Sequence, residues 1–239
     1  MIYIIYYMMS NNKTIYGVYF ISCIHNYLDI VNEQLNILND GLLDRTHKLI
    51  IFITNYNENE CGELDKILNN EKFILVKSSE NLYEKFAINN YKNYITHDDY
   101  YLYYFHTKGV SRYKKSVFHS TRQILNYYIL KMYQLNIELL EQYNAVGCEM
   151  HLYPKKHFSG NFWWSKSQHL KNLPNINNNY LSPEMYVLDI EDNNSVSLAN
   201  NVNNMFIENY IFPDYETIKQ NITTDYIIYE PYKREIVRC

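Results

Sequence analysis

In the first half of the chain, unbroken apolar runs alternate with stretches whose apolar residues recur at helical spacing. Ile15–Ser22 (IYGVYFIS) has the pattern of a strand covered on both faces. Tyr27–Leu38 places Leu28, Val31, Leu35 and Leu38 at helical intervals. Lys48–Thr54 (KLIIFIT) repeats the buried-strand pattern. Glu60–Leu68 predicts a short helix with Leu64, Ile67 and Leu68 on one face, and Phe73–Val76 a third strand. Leu82–Ile95 predicts a helix, and Tyr101–His106 (YLYYFH) a fourth strand. Repetition of this kind predicts an α/β fold, a mostly parallel sheet with helices on both faces. Ligands of such sheets bind outside the carboxyl ends of the strands. Those ends are Ser22, Thr54–Asn55, Lys77–Asn81 and His106–Gly109. All are polar, whether to meet a ligand or only to satisfy a loop.

After Gly109 the pattern changes. Val117–Gln142 predicts one long helix, with Ile124, Leu125, Tyr128, Leu135 and Leu139 at helical intervals. Ala145–Cys148 predicts another buried strand, and the aromatic, partly alternating His157–Trp164 a strand near the pocket. Leu170 and Leu173 fit a short helix that Pro174 ends, and Ser182–Asp189 begins a further element. Beyond Asp192 the pattern weakens to a helix around Asn204–Tyr210 and a strand at Tyr226–Tyr229. No internal repeat is visible. The opening MIYIIYYMM is nine apolar residues, too short to span a bilayer and without the basic flank of a signal peptide. It reads as an edge strand or a packed arm, so no transmembrane segment and a cytoplasmic location are expected.

Composition narrows this picture a little. With 239 residues, 47% of them hydrophobic, the chain can bury a sizeable core, and one domain over residues 1–239 is expected. A net charge of −4 gives no electrostatic reason to bind nucleic acid. The basic cluster Lys233-Arg234 with Arg238 reads as a solvated C-terminus. The 27 Tyr and the Asn runs point to an AT-rich genome, that of a large DNA virus or a low-GC microbe. For a viral protein the compartment would be the host cytoplasm. The four Cys lie far apart with no CxxC, as expected of free thiols in a reducing compartment rather than a zinc site. Asn12, Asn193 and Asn221 head N-x-S/T triplets that an Asn-rich chain produces by chance.

Two segments carry most of the chemistry, YFHTKGVS (Tyr104–Ser111) and HFSGNFWW (His157–Trp164). With ENLYEKF (Glu80–Phe86), Ser120-Thr121-Arg122 and YLSPEMYV (Tyr180–Val187), they occur in order over about half the chain. Together they resemble polysaccharide-type glycosyltransferases of the GT-A nucleotide-sugar fold, akin to the rhamnan-synthesis F family. HTKG looks like that family's histidine-threonine-lysine signature, and HFSGNFWW is similar nearly letter for letter. Arg122 is kept where the family has Trp-Arg, with Thr121 in place of the Trp. Glu184 falls on its carboxylate segment. The match to N-x-G-x-E is loose, because Tyr83 stands at the glycine and Glu84 comes one residue early. The resemblance implies a GT-A-like, Rossmann-related domain. Residues 10–110 would bind the nucleotide sugar, 111–190 would hold the acceptor and catalytic half, and 191–239 would form an extension.

Glycosyl transfer breaks the bond between an anomeric carbon and a diphosphate, so the site must meet the leaving group's negative charge with cations or oriented N–H donors. GT-A enzymes usually place Asp-x-Asp after the fourth strand to hold a divalent metal. Here His106-Thr107-Lys108-Gly109 stands there, and Asp98-Asp99 lies before that strand. Either Lys108 neutralises the diphosphate, with Thr107 and the Gly109 backbone donating hydrogen bonds, or His106 joins distant residues such as His157 around Mn or Mg. A plain surface lysine is the bland alternative. Arg122, with His119 three residues before it, is a second cation candidate, or a solvated helix arginine. The donor side is completed by Ser22, Thr54, Asn81 and Glu84.

In HFSGNFWW, Gly160 allows close backbone approach, Ser159 and Asn161 can bond sugar hydroxyls, and the rings can pack on sugar C–H faces. One of Trp163 and Trp164 is expected in the core and the other against a sugar. His157 and Glu149 complete the sugar and acceptor side. Inverting transfer needs a carboxylate base. Glu184 is placed for that role, with Asp189 second. The expected partners are a nucleotide-sugar donor and a glycan or polysaccharide acceptor. The alternatives are a carbohydrate-binding or scaffold protein that kept the fold and lost turnover, and a nucleotidyltransferase. For the last, Ser22-Cys23-Ile24-His25 lacks the Gly-rich phosphate loop such enzymes carry after the first strand.

Overall fold

A computed structural model of the chain describes residues 13–112, 116–177, 179–190, 194–199, 212–220, 226–230 and 233–237. The predicted N-terminal arm, the predicted helix at 204–210, Arg238 and the asparagines of the three N-x-S/T triplets lie outside the described residues.

The four predicted strands of the first half form as expected. They are β1 (Thr14–Ser22), β2 (Thr46–Thr54), β3 (Phe73–Lys77) and β4 (Tyr100–His106). Between them lie α1 (Tyr27–Leu38), α2 (Leu42–Arg45), α3 (Gly62–Ile67) and α4 (Lys85–Asn90), the last continued by a 3-10 turn over Tyr91–Tyr94. The second half adds α5 (Ser116–Leu125), α6 (Tyr133–Leu139), β5 (Ala145–Gly147), β6 (Met150–His151), β7 (His157–Phe158), β8 (Trp163–Lys166), α7 (Ser167–Lys171), α8 (Ser182–Met185), β9 (Ser195–Ser197), α9 (Tyr215–Gln220), β10 (Tyr226–Glu230) and β11 (Lys233–Val237). The segment Lys233–Val237, which holds two residues of the basic cluster, pairs with β10.

Seven strands run in the order β3-β2-β1-β4-β8-β5-β9. β1 pairs parallel with β2 and β4, β2 with β3, and β5 with β9. β8 alone runs antiparallel, to β4 and to β5. Alternation along the strands splits the core into two layers. Tyr19, Ile21, Ile51, Tyr103, Phe105 and Trp164 face α1 and the α5–α6 region. Val18, Phe20, Phe52, Leu102, Tyr104 and Trp163 face Ala87, Ile88, Leu170 and the Tyr186–Leu188 turn. A smaller sheet runs β11-β10-β6-β7. Among the described residues no helix is long and apolar enough to cross a membrane.

Two segments differ from their sequence patterns. The expected helix over 117–142 is broken by a π-helical stretch at Asn126–Lys131. Asn126 is buried there among Glu33 and Gln34, and Asn136 turns its amide back on the carbonyls of Tyr128 and Met132 at 2.8 and 2.9 Å. Asn136 shares the Met132 carbonyl with its own backbone N–H at 3.2 Å, and π-turns of this kind gather at functional sites. HFSGNFWW is not one strand either. β7 belongs to the small sheet and β8 to the large one. Gly160 (φ 88°) and Asn161 (φ 55°) turn the chain between them in the left-handed region.

Candidate functional site

The carboxyl ends of β1 and β4 open into a cleft of about 750 Å³, a size that suits a small organic ligand. Its floor is Phe20, Ser22 and the turn His106–Val110. One wall is Asn81–Lys85 ahead of α4. Asn161 and the segment from Asn179 into α8, which packs on α4, also line the cleft.

The HTKG turn is held from below by a buried polar network. Thr107 donates its N–H to the Phe20 carbonyl (3.1 Å), and its hydroxyl accepts from Ser22 N (3.3 Å). Gln34 donates to the His106 carbonyl (3.0 Å) and accepts from Tyr19 OH (2.7 Å). Arg122 donates to the Lys108 carbonyl (3.1 Å) and pairs with Glu33 at 2.9 Å. Glu33 also accepts from Asn126 at 2.8 Å. Arg122 is therefore spent on holding Lys108 in place and does not line the cleft. Sequence reasoning missed Glu33, Gln34 and Asn126. The signal was present at Gln34, an amide on the apolar stripe of α1 beside Val31, Leu35 and Leu38.

Above the turn, two carboxylates a hundred residues apart in sequence flank His106. Glu84 accepts from Tyr104 OH (3.0 Å) and Asn161 Nδ2 (2.7 Å), and lies 3.8 Å from His106 Nε2. Glu184 accepts the N–H of Gly160 at 2.8 Å, and the carbonyl of that same Gly160 accepts from His106 Nε2 at 3.0 Å. A carbonyl can only accept, so Nε2 carries the proton. Burial pushes His106 below the usual histidine range, opposed by Glu84 and assisted by Lys108. Burial does the same to His157, where Glu184 opposes the shift and Lys108 assists it. Lys108 and Glu184 both line this cleft.

The predicted site residues separate accordingly. Ser22, Asn81, Glu84, His106, Thr107, Lys108, Gly109, Asn161 and Glu184 line the cleft. Thr54 is buried at the end of β2, its hydroxyl toward the Ile21 carbonyl at 3.5 Å. Ser159 and Gly160 are not among the residues that line the cleft; Ser159 N donates to the Glu149 carbonyl at 2.9 Å, and Gly160 bonds His106 and Glu184 through its backbone. Glu149 is buried, 3.6 Å from His151, and His151 stacks on His157. Asp189 is paired with Lys155 outside the cleft.

Both tryptophans are fully buried, which corrects the expectation that one ring faces a sugar. They are successive on β8, so they point to opposite layers. Trp163 stacks on Tyr104 and donates to Asn161 Oδ1 at 3.0 Å. Trp164 leans on Tyr103 and donates to the Ile129 carbonyl at 2.7 Å.

His106 and His157 each bond a backbone carbonyl through one ring nitrogen, His106 Nε2 to Gly160 at 3.0 Å and His157 Nδ1 to Lys155 at 2.7 Å, which leaves the other nitrogen of each ring able to act as a ligand. Among the described residues no group of three or more His, Cys, Asp or Glu is placed to hold an ion, so a metal at these histidines would need further ligands. Divalent metals in proteins take larger ligand sets than this pair supplies.

The buried histidines make a pH prediction. Burial depresses His106, His157 and His169 from the usual value of 6.5. Below that value the unfolded chain binds protons that the folded chain refuses. The stability they contribute is thus complete above about pH 6.5 and is lost as pH falls toward their depressed folded values. The melting temperature is expected to be level from about pH 8 to 7 and to drop steadily below about 6.5. A level profile down to about pH 5.5 would contradict it.

Comparison with known proteins adds a family and a fold. A family model described as a domain of unknown function (DUF8361) matches residues 15–207. No curated protein matches the sequence. Among solved structures, the mannosyltransferase PcManGT from Pyrobaculum calidifontis, in complex with GDP-Man and Mn2+, superposes with a TM-score of 0.50 at 10% identity, covering 76% of this chain and 54% of that one. This chain therefore spans about half the length of that mannosyltransferase. A 4-diphosphocytidyl-2C-methyl-D-erythritol synthase from Anaerococcus prevotii gives a TM-score of 0.40 at 10% identity, covering 66% and 73%. The architecture is GT-A-like, a mostly parallel central sheet flanked by helices.

Proposed function

The chain belongs to the family described as a domain of unknown function (DUF8361), and we propose that it is a glycosyltransferase that moves a sugar from a nucleotide-sugar donor to a glycan or polysaccharide acceptor with inversion. The observation that carries this reading is the convergence of Lys108 and Glu184 on one cleft at the carboxyl ends of β1 and β4. In this reading residues 10–110 supply most of the donor side and 111–190 the acceptor side, with Glu84 and Asn161 joined across the two.

The chemistry assigns one role to each charge. The acceptor hydroxyl attacks the anomeric carbon, and its proton passes to Glu184. The bond from that carbon to the diphosphate oxygen breaks, and the nucleoside diphosphate leaves with the electron pair. The Lys108 ammonium meets the charge that gathers there. Arg122 and Gln34 hold the carbonyls of Lys108 and His106, so the lysine arrives already placed. Neutral His106 fixes the Gly160 carbonyl, whose N–H in turn orients one oxygen of Glu184.

A thermal-shift screen of UDP-, GDP-, TDP- and CMP-sugars, each with and without manganese, tests the reading. One donor is expected to raise the melting temperature in proportion to its occupancy, and to do so without manganese. A shift that appears only with manganese would overturn the lysine-based site. The absence of any shift, in a protein that still binds glycans, would favour a carbohydrate-binding protein that kept the fold and lost turnover.

A further inference from the structure

Tyr83 holds a backbone conformation that costs the fold something. Its φ is +53°, in the left-handed region where an L side chain crowds the following carbonyl and glycine does not. The ring recovers little of this by packing, since the residue is 56% exposed. It lines the cleft instead. Tyr180, 79% exposed, lines the same cleft. Tyr83 precedes α4 and Tyr180 precedes α8, and these two helices pack on one another. The two phenols therefore stand on one lip. Tyr83 is followed directly by Glu84, and Tyr180 lies four residues before Glu184.

The side of the cleft follows from the order of groups in the substrate, and so rests on the glycosyltransferase reading. A nucleotide sugar runs base, ribose, diphosphate, sugar. With the diphosphate at Lys108 and the acceptor hydroxyl at Glu184, the carbon under attack lies between them. The lip beside Glu184 then lies on the sugar side of the diphosphate, away from the base. We propose that Tyr83 and Tyr180 form a platform on which a sugar ring of the substrate packs its C–H face, and that the strained backbone at Tyr83 is kept to present that ring. Dispersion against a phenol face suits the apolar side of a pyranose. The transferred sugar of the donor and the terminal sugar of the acceptor share this chemistry, and the two are separable by experiment.

The test compares the full chain with Tyr83→Gly, Tyr83→Phe and Tyr180→Ala. The probes are the nucleotide sugar that shifts the wild type, the nucleoside diphosphate alone, and a panel of methyl glycosides. Without ligand, Tyr83→Gly is expected to melt about 2–4 °C higher, because glycine is at ease at this φ. Tyr180→Ala, at an exposed position without that strain, is expected to melt as wild type does. Both should weaken binding of the sugar-bearing probe by about 3- to 10-fold, and Tyr83→Phe should keep wild-type affinity. A loss for the nucleotide sugar but not for the nucleoside diphosphate assigns the ring to the donor. A loss confined to methyl glycosides assigns it to the acceptor. Affinities within about twofold of wild type for every probe would overturn the platform, as would an equal loss for the nucleoside diphosphate, which would mark a base-stacking site. If the wild type binds methyl glycosides through these tyrosines but no nucleotide sugar, the glycosyltransferase reading fails and the platform stands. If it binds none of the probes, both fail.

Discussion

Glu184→Gln is expected to lower sugar transfer by at least about 100-fold while leaving the thermal shift of the bound nucleotide sugar as it is in the wild type. Glutamine keeps the oxygen that accepts the N–H of Gly160, the one bond Glu184 makes to the turn above His106. It therefore preserves the cleft and removes only the capacity to take a proton from the acceptor hydroxyl. An interaction made only in the transition state is lost from turnover and not from ground-state binding. The measurement is nucleoside diphosphate release with a panel of glycan acceptors, beside the donor's thermal shift. Transfer within about threefold of wild type would remove Glu184 as the base. Asp189 is a poor second candidate on structural grounds, because it is already paired with Lys155 outside the cleft. Asp189→Asn is expected to leave transfer nearly unchanged.

Arg122→Ala carries the largest expected effect on stability. The guanidinium is almost wholly buried, with its side chain 6% exposed against 27% for Glu33. Three of its hydrogen bonds go to Glu33 and one to the Lys108 carbonyl. Removing it leaves Glu33 with Asn126 as its remaining donor here, and a largely buried carboxylate without its cation is costly. Discounted for the solvent that reaches Glu33, the loss is about 2–4 kcal/mol, a fall in melting temperature of roughly 5–15 °C for a chain of this size. Arg122→Lys should recover only part of this, since a point charge cannot span the carboxylate and the carbonyl together. Donor affinity should fall in parallel, because Lys108 loses the bond that fixes its carbonyl. A melting temperature within about 2 °C of wild type would show that the Glu33–Arg122 pair does not hold the turn.

Much of this arrangement was legible along the chain. The four unbroken apolar runs became β1 to β4 because a strand covered on both faces must be apolar at every position. HTKG could be set at the carboxyl end of β4 for the same reason, since YLYYFH has no room for solvent on either side. The long helix was legible in periodicity but not in continuity. Apolar spacing reports which side is buried, and says nothing of the buried amides of Asn126 and Asn136 that accompany the change of hydrogen-bond register. The tryptophans show the same limit. Their identity marks the segment, but two aromatic neighbours on a strand point to opposite layers, and burial on both is decided by what covers each face.

By itself the sequence determined an α/β sheet with its polar strand ends and the place of Lys108 at one of them. Tertiary structure alone decided which polar groups share the cleft. Glu84 and Glu184 meet around His106 because β8 inserts beside β4 and Gly160–Asn161 crosses from the small sheet to the large one. Arg122 faces Glu33 and not the cleft because α1 and α5 pack on the same face of the sheet. The physical reason is that hydrophobic periodicity is a local property of a strand or helix. The pairing of charges and hydrogen bonds, here over separations of 77 to 93 residues, is set by strand order and by which face each helix covers.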